Sequence, residues 1–179
     1  MIRAFVALPI PDHVRRDLIA LQALLPLPRP LPPENLHLTL AFLGEVAEPV
    51  LEDAHLALAA LRVPGFDLCL QGAGMFGGER PRVVWAGVAA EPALIALQAK
   101  VTTALRFANA PPDARRFSPH VTLAWVRPNR AEVARLQQAV ADAAGFRAEP
   151  FRVEAFALYR SDLGSGGALH TELARYAMT

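Results

Sequence analysis

The chain has 179 residues, 53% hydrophobic and 20% charged, with a formal net charge of +1. That balance suits a folded domain and excludes general disorder. The near-neutral charge also excludes the basic excess that drives tight, sequence-independent binding to long nucleic acid. Cys69 is the single cysteine, so neither an internal disulfide nor a cysteine-rich zinc site can form.

Residues 2–8 are dense in apolar β-formers and end at Pro9, which predicts a buried strand. Pro11 and Asp12 open a helical stretch whose apolar positions, Val14, Leu18, Leu21 and Leu25, share one face. Five prolines between Pro26 and Pro33 require an extended loop. A strand over 36–43 and a helix over 47–61 follow. Next come strands over 66–74 and 82–89, joined by a turn at Gly77-Gly78. A helix over 91–107 leads to a second proline loop at Ala110-Pro111-Pro112 and a strand over 119–126. A helix over 131–144 and strands over 150–159 and 168–175 complete the pattern. Strands and helices mixed without strict alternation favour an α+β fold with antiparallel sheets. The order strand, helix, strand, helix occurs in both halves, which suggests an internal duplication.

One tetrapeptide pattern occurs twice, as His37-Leu38-Thr39-Leu40 and as His120-Val121-Thr122-Leu123. Residues two apart on a strand share a face. Leu36, Leu38, Leu40 and Phe42 are therefore expected on one apolar face, with His37, Thr39 and Ala41 opposite. The second copy sets Val121, Leu123 and Trp125 against His120, Thr122 and Ala124. Each strand offers one imidazole and one hydroxyl on a face otherwise lined by small residues. A zinc site usually needs three or four protein ligands, and neither motif has a third His, Cys or carboxylate at ligand spacing.

Two imidazoles across a pocket form an acid–base pair near neutral pH, because unperturbed His titrates at about 6.5. Hydroxyls beside them suit the non-bridging oxygens of a phosphate. In-line attack on phosphorus needs a base on one side and an acid on the other, which a two-fold arrangement supplies. The serines lie outside any Gly-x-Ser-x-Gly context.

The sequence resembles the two-histidine phosphoesterase superfamily, and within it the bacterial RNA 2′,3′-cyclic phosphodiesterases, also called 2′-5′ RNA ligases. The resemblance runs through Arg3–Pro11, Pro33–Gly44, Val83–Val88, Phe117–Ala124, Leu158–Ser161 and Gly167. It implies one bilobal domain over residues 1–179, with two largely antiparallel sheets lining a central cleft, helices outside, and the histidines facing each other. It implies that His37 protonates the leaving 3′-oxygen and that His120 takes a proton from the attacking water, yielding a 2′-phosphate. Thr39 and Thr122 would hold the phosphate, with no metal and no cofactor. The expected partners are RNA 2′,3′-cyclic phosphate ends or cyclic nucleotides, for a cytoplasmic monomer without membrane contact.

The chain departs from the family twice. Trp125 stands where the family commonly has an arginine that assists phosphate binding, so Arg127 or Arg130 is expected to supply that charge. His170 replaces a tyrosine of the closing hairpin. Phe42 and Trp125 are expected in the core rather than against a base, and His13 and His55 as partly exposed helix residues. The run Gly164–Gly167 reads as a turn, and Arg115-Arg116 as a solvated loop. A cyclic phosphodiesterase for small nucleotides such as ADP-ribose cyclic phosphate is the alternative within the same chemistry. A non-catalytic binder of RNA ends is the alternative outside it.

Overall fold

The computed structural model describes residues 1–164 and 167–179. In chain order the elements are β1 (Ile2–Pro9), α1 (Asp12–Leu24), β2 (His37–Val46), α2 (Glu48–Ala59), β3 (Phe66–Leu68), β4 (Leu70–Phe76) and β5 (Val83–Val88). They continue with α3 (Pro92–Phe107), β6 (His120–Trp125), α4 (Arg130–Asp142), β7 (Phe151–Val153), β8 (Ala155–Gly164) and β9 (Gly167–Ala177). The proline loop before β2 ends in one 3-10 turn, Pro33–Asn35. Ser165 and Gly166 of the expected glycine turn lie outside the described residues.

The α+β class read from the sequence is the observed one. Seven strands pair in the order β4-β5-β6-β2-β1-β8-β9, and β3 pairs with β7 in a second, two-stranded sheet. Every pairing between these strands is antiparallel among the described residues. Two groups of strands, β4-β5-β6 and β2-β1-β8-β9, meet at β2 and β6 through one register pair, Leu38 with Val121. The two expected sheets are thus joined edge to edge by a narrow seam.

The topology bears out the duplication. Exchanging β1 with β5, β2 with β6 and β4 with β8 reverses the order of the six central strands and leaves it otherwise unchanged. The same exchange relates β3 to β7, and β9 is the addition at one edge. Two strands that the sequence reads as continuous are each divided. The stretch 66–74 breaks at Cys69 and 150–159 breaks at Glu154, because the first three residues of each pair with one another in the small sheet. An alternating apolar pattern does not reveal which sheet a strand joins.

All four helices contribute to one apolar cluster with the inward residues of the central strands. Val14 and Leu18 of α1, Leu97 and Val101 of α3, and Leu38 and Val121 at the seam are all essentially without solvent contact. Burying each such side chain stabilises the fold by about 1.5–3 kcal/mol. The helices cover the face opposite the histidines, so His37, Thr39, His120 and Thr122 remain half-buried on the other. None of the helices described is long and apolar enough to cross a membrane.

Candidate active site

The seam places the two motifs. Leu38 and Val121, which pair across it, are the middle residues of the two His-x-Thr triplets. Continued one position each way, the antiparallel register sets His37 beside Thr122 and Thr39 beside His120. Each imidazole therefore stands next to the hydroxyl of the other motif. The structure brings all four residues together on one face.

A bulge follows the threonine in both copies. Ala7 pairs with Thr39 but Val6 pairs with Ala41, so Leu40 is an extra residue on β2. Likewise Trp85 pairs with Thr122 but Val84 pairs with Ala124, which makes Leu123 extra on β6. A bulge reverses the in–out alternation beyond it. Ala41 and Ala124 consequently turn into the core, at 5% and 0% exposure, although alternation puts both on the histidine face. Phe42 and Trp125 turn out of it. The expectation that these two rings pack in the core is corrected: Phe42 is half-buried and Trp125 is 65% exposed. Nothing in the tetrapeptide composition signals the bulge.

Each imidazole has its own aromatic surroundings. His37 stacks on Phe5 with ring centroids 4.7 Å apart, and Tyr159 lies beyond, 5.2 Å from Phe5. His170 meets His37 edge-on at 5.1 Å. It is brought there by Asn35, whose buried side chain donates to the Ala168 carbonyl at 2.8 Å and ties β9 to the turn before His37. His120 meets Phe76 edge-on at 4.9 Å, and Trp85 lies 6.4 Å away. Gly74, the register partner of Trp85, has no side chain, so the indole lies directly over its backbone.

His120 Nδ1 lies 2.7 Å from the Ser118 carbonyl. A carbonyl can only accept, so Nδ1 carries the proton and the neutral ring keeps its lone pair on Nε2. The carbonyl of Asn35, also two residues before its histidine, favours the charged form of His37 in the same way. Burial outweighs that help in both rings. It is the main cause that holds His37 well below the ordinary 6.5, at about 4, with repulsion from His170 and then His120 adding to it. Burial lowers His120 as well. His170 is lowered by burial and then by the Arg3 charge.

Arg127, in the connection from β6 into α4, and Arg130, the first residue of α4, are exposed, and no ion pair engages either among the described residues. Asn129 and Glu132 form a reciprocal cap at the start of α4, which fixes where that connection ends. Arg115 pairs with Asp113 on the surface, and His55 is half-buried with Nδ1 3.0 Å from the Tyr176 hydroxyl. Sequence reasoning identified His170 only as the replacement of a hairpin tyrosine, and the structure sets it beside His37. It missed Phe5, Tyr159 and Arg3, which the alternation of β1 and β8 brings onto the same face. No group of three or more His, Cys, Asp or Glu residues with metal-holding geometry occurs among the described residues.

Residues 10–165 match the family model described as the 2′-5′ RNA ligase superfamily. The chain belongs to that superfamily. It is 34% identical to the RNA 2′,3′-cyclic phosphodiesterase of Escherichia coli over 99% of this chain and 97% of that one. With the protein of the same name from Thermus thermophilus it shares 36% identity over 98% of this chain and 90% of that one. Among solved structures, Escherichia coli LigT complexed with 3′-AMP superposes with a TM-score of 0.79 at 30% identity, covering 99% and 98% of the two chains.

Proposed function

We propose that this protein hydrolyses RNA 2′,3′-cyclic phosphate ends to 2′-phosphomonoesters through His37 and His120, without a metal ion. The observation that carries the reading is the seam itself: two imidazoles and two hydroxyls arranged about Leu38 and Val121, with each ring beside the other motif's threonine. Family membership and near-full-length relatives named for this activity support it.

In this reading the cyclic phosphate sits over the seam, and Thr39 and Thr122 donate hydrogen bonds to its two non-bridging oxygens. His120 Nε2 takes a proton from water as the oxygen attacks phosphorus. The bond from phosphorus to the 3′-oxygen breaks on the opposite side, and His37 gives that oxygen a proton. The two histidines thus exchange charge states over one turnover. The same steps with a ribose 5′-hydroxyl in place of water join two strands through a 2′-5′ linkage, the 3′-oxygen again leaving as a hydroxyl. Arg127 and Arg130 supply positive charge at the mouth on the His120 side, where the family arginine is replaced by Trp125.

Burial keeps both histidines neutral at pH 7 in the free protein, which suits the acceptor and opposes the donor. The anionic phosphate is the charge that raises the donor's pKa toward neutral pH when substrate binds, favouring its protonated form. Both motifs come from one chain, so a monomer over residues 1–179, folded as one bilobal domain, is sufficient for the chemistry.

The test is incubation with a cyclic-phosphate-ended RNA in EDTA, resolving 2′- from 3′-phosphate products. The reading expects a 2′-phosphate from the parent protein. It expects a loss of about 10²-fold or more in kcat for His37→Ala and for His120→Ala. Unaltered turnover in either variant refutes the acid–base assignment, and no turnover by the parent refutes the activity.

A further inference from the structure

Four buried side-chain polar atoms have no hydrogen-bond partner among the described residues: Arg3 Nε, Arg15 Nε, Trp85 Nε1 and His170 Nδ1. Arg15 is already engaged through its other nitrogens, with Asp12 and with the Ile10 carbonyl. The remaining three belong to the histidine face. A buried donor without an acceptor costs about 1–3 kcal/mol, so orphans gathered at one site mark where a ligand's acceptors fit.

Two of them, Arg3 and His170, lie on the same side of the reaction centre. Arg3 is two residues from Phe5 on β1 and therefore shares the face on which Phe5 stacks against His37. Its guanidinium lies 4.7 Å over the Phe42 ring and forms no ion pair among the described residues. The charge of Arg3 is close enough to act on His170. The order across the face is then His120, His37, His170, Arg3, leading away from the seam. Beyond Arg3 lies a depression of about 420 Å³ that runs past Ser161, the register partner of His170, to Arg160. Two carboxylates share its wall. Asp162 is held by Arg160 at 2.8 Å, and Glu45 is the exposed register partner of Arg3 on β2.

We propose that Arg3 and His170 form a second anion subsite, which takes the internucleotide phosphate one nucleotide before the cyclic end. The subsite makes the protein selective for an oligonucleotide terminus over a lone mononucleoside cyclic phosphate. Arg3 offers a fixed charge in planar geometry suited to phosphate oxygens. A neutral His170 places its proton on whichever ring nitrogen an acceptor approaches, so a phosphate oxygen selects the form that donates from Nδ1. The inference rests on the cyclic phosphodiesterase reading above.

The experiment compares kcat/KM on a mononucleoside 2′,3′-cyclic phosphate and on the dinucleotide bearing the same cyclic end. A third substrate is the dinucleotide with a neutral methylphosphonate at the internucleotide position. The parent protein is expected to favour the charged dinucleotide by about tenfold or more over both others, chiefly through KM. Arg3→Gln and His170→Phe are each expected to shrink that ratio by several-fold. Equal kcat/KM on the charged and methylphosphonate dinucleotides overturns the subsite whatever the variants do, and so does a ratio that both variants leave unchanged. Turnover of all three substrates at one rate removes the subsite and leaves the functional reading standing, whereas turnover of none removes both.

Discussion

Gln22 of α1 donates a hydrogen bond from Nε2 to the carbonyl of Leu123 at 2.9 Å, across 101 residues of sequence. Leu123 is the bulged residue of the second motif. Gln98 of α3 reaches the carbonyl of Leu40, the bulged residue of the first, at 3.4 Å. Each half of the duplication therefore lends a helix glutamine to the other half's bulge, where the regular ladder is interrupted.

Gln22 also donates to the Leu31 carbonyl at 3.0 Å, so its removal takes the side-chain donor from that acceptor and leaves the Leu123 carbonyl with the Leu31 N–H alone. Gln22→Leu is expected to lower unfolding free energy by about 1–3 kcal/mol. Gln98→Leu should cost less, because its bond is longer and only part-buried. Urea denaturation of both variants measures this, and a Gln22→Leu midpoint equal to the parent's removes the argument.

The pH dependence follows from the depressed histidines. The acceptor must be neutral, so kcat/KM rises as pH climbs through its value, which burial has moved below 6.5. The donor must be charged, so kcat/KM falls as pH climbs past its own, near 4 in the free protein. Both limbs are displaced to acid, and the maximum of kcat/KM is expected below pH 6.5. The kcat profile should lie at higher pH, because bound phosphate favours the charged rings. Initial rates between pH 4 and 9 at limiting and saturating substrate check both, and a kcat/KM maximum above pH 7 contradicts the first.

Stability carries the opposite mark of the same shift. A histidine whose folded value is lowered binds more protons when unfolded, so unfolding gains as pH falls from 6.5 toward 4. His37→Phe should flatten that part of the stability curve while abolishing turnover. Thermal midpoints across this window, parent against variant, provide the measurement, and parallel curves would exclude His37 as the cause.

How much of this was legible in the residues differs by level. The motif histidines and threonines share a face because strand alternation holds between His37 and Thr39 and between His120 and Thr122, and three residues suffice to read it. The same alternation fails at Leu40 and Leu123, where one added residue inverts the residues that directly follow it. Phe42 and Trp125 were misplaced for that reason alone. Cys69 and Glu154 mark a second kind of silence: a change of sheet is set by partners distant in sequence, and Phe66–Leu68 finds its partner only in Phe151–Val153. His170 depended on a similar long reach, through Asn35 to Ala168.

The inversion at Leu123 gives Trp125 a consequence that can be measured. After the bulge it returns to the face of His120 and Thr122 and is 65% exposed, so little packing holds it there. Trp125→Arg should leave the thermal midpoint nearly unchanged, as surface substitutions do. A guanidinium on that face adds a charge-assisted contact to bound phosphate, and KM for a cyclic-phosphate RNA is expected to fall by about 3- to 10-fold at low salt. If Arg127 and Arg130 already supply charge from the neighbouring turn, Arg127→Ala and Arg130→Ala raise KM in the parent and do so less in the Trp125→Arg background. Additive effects in that double-variant cycle show that the three positions act on separate parts of the substrate. An unchanged KM for Trp125→Arg shows that position 125 stands too far from the phosphate to serve it.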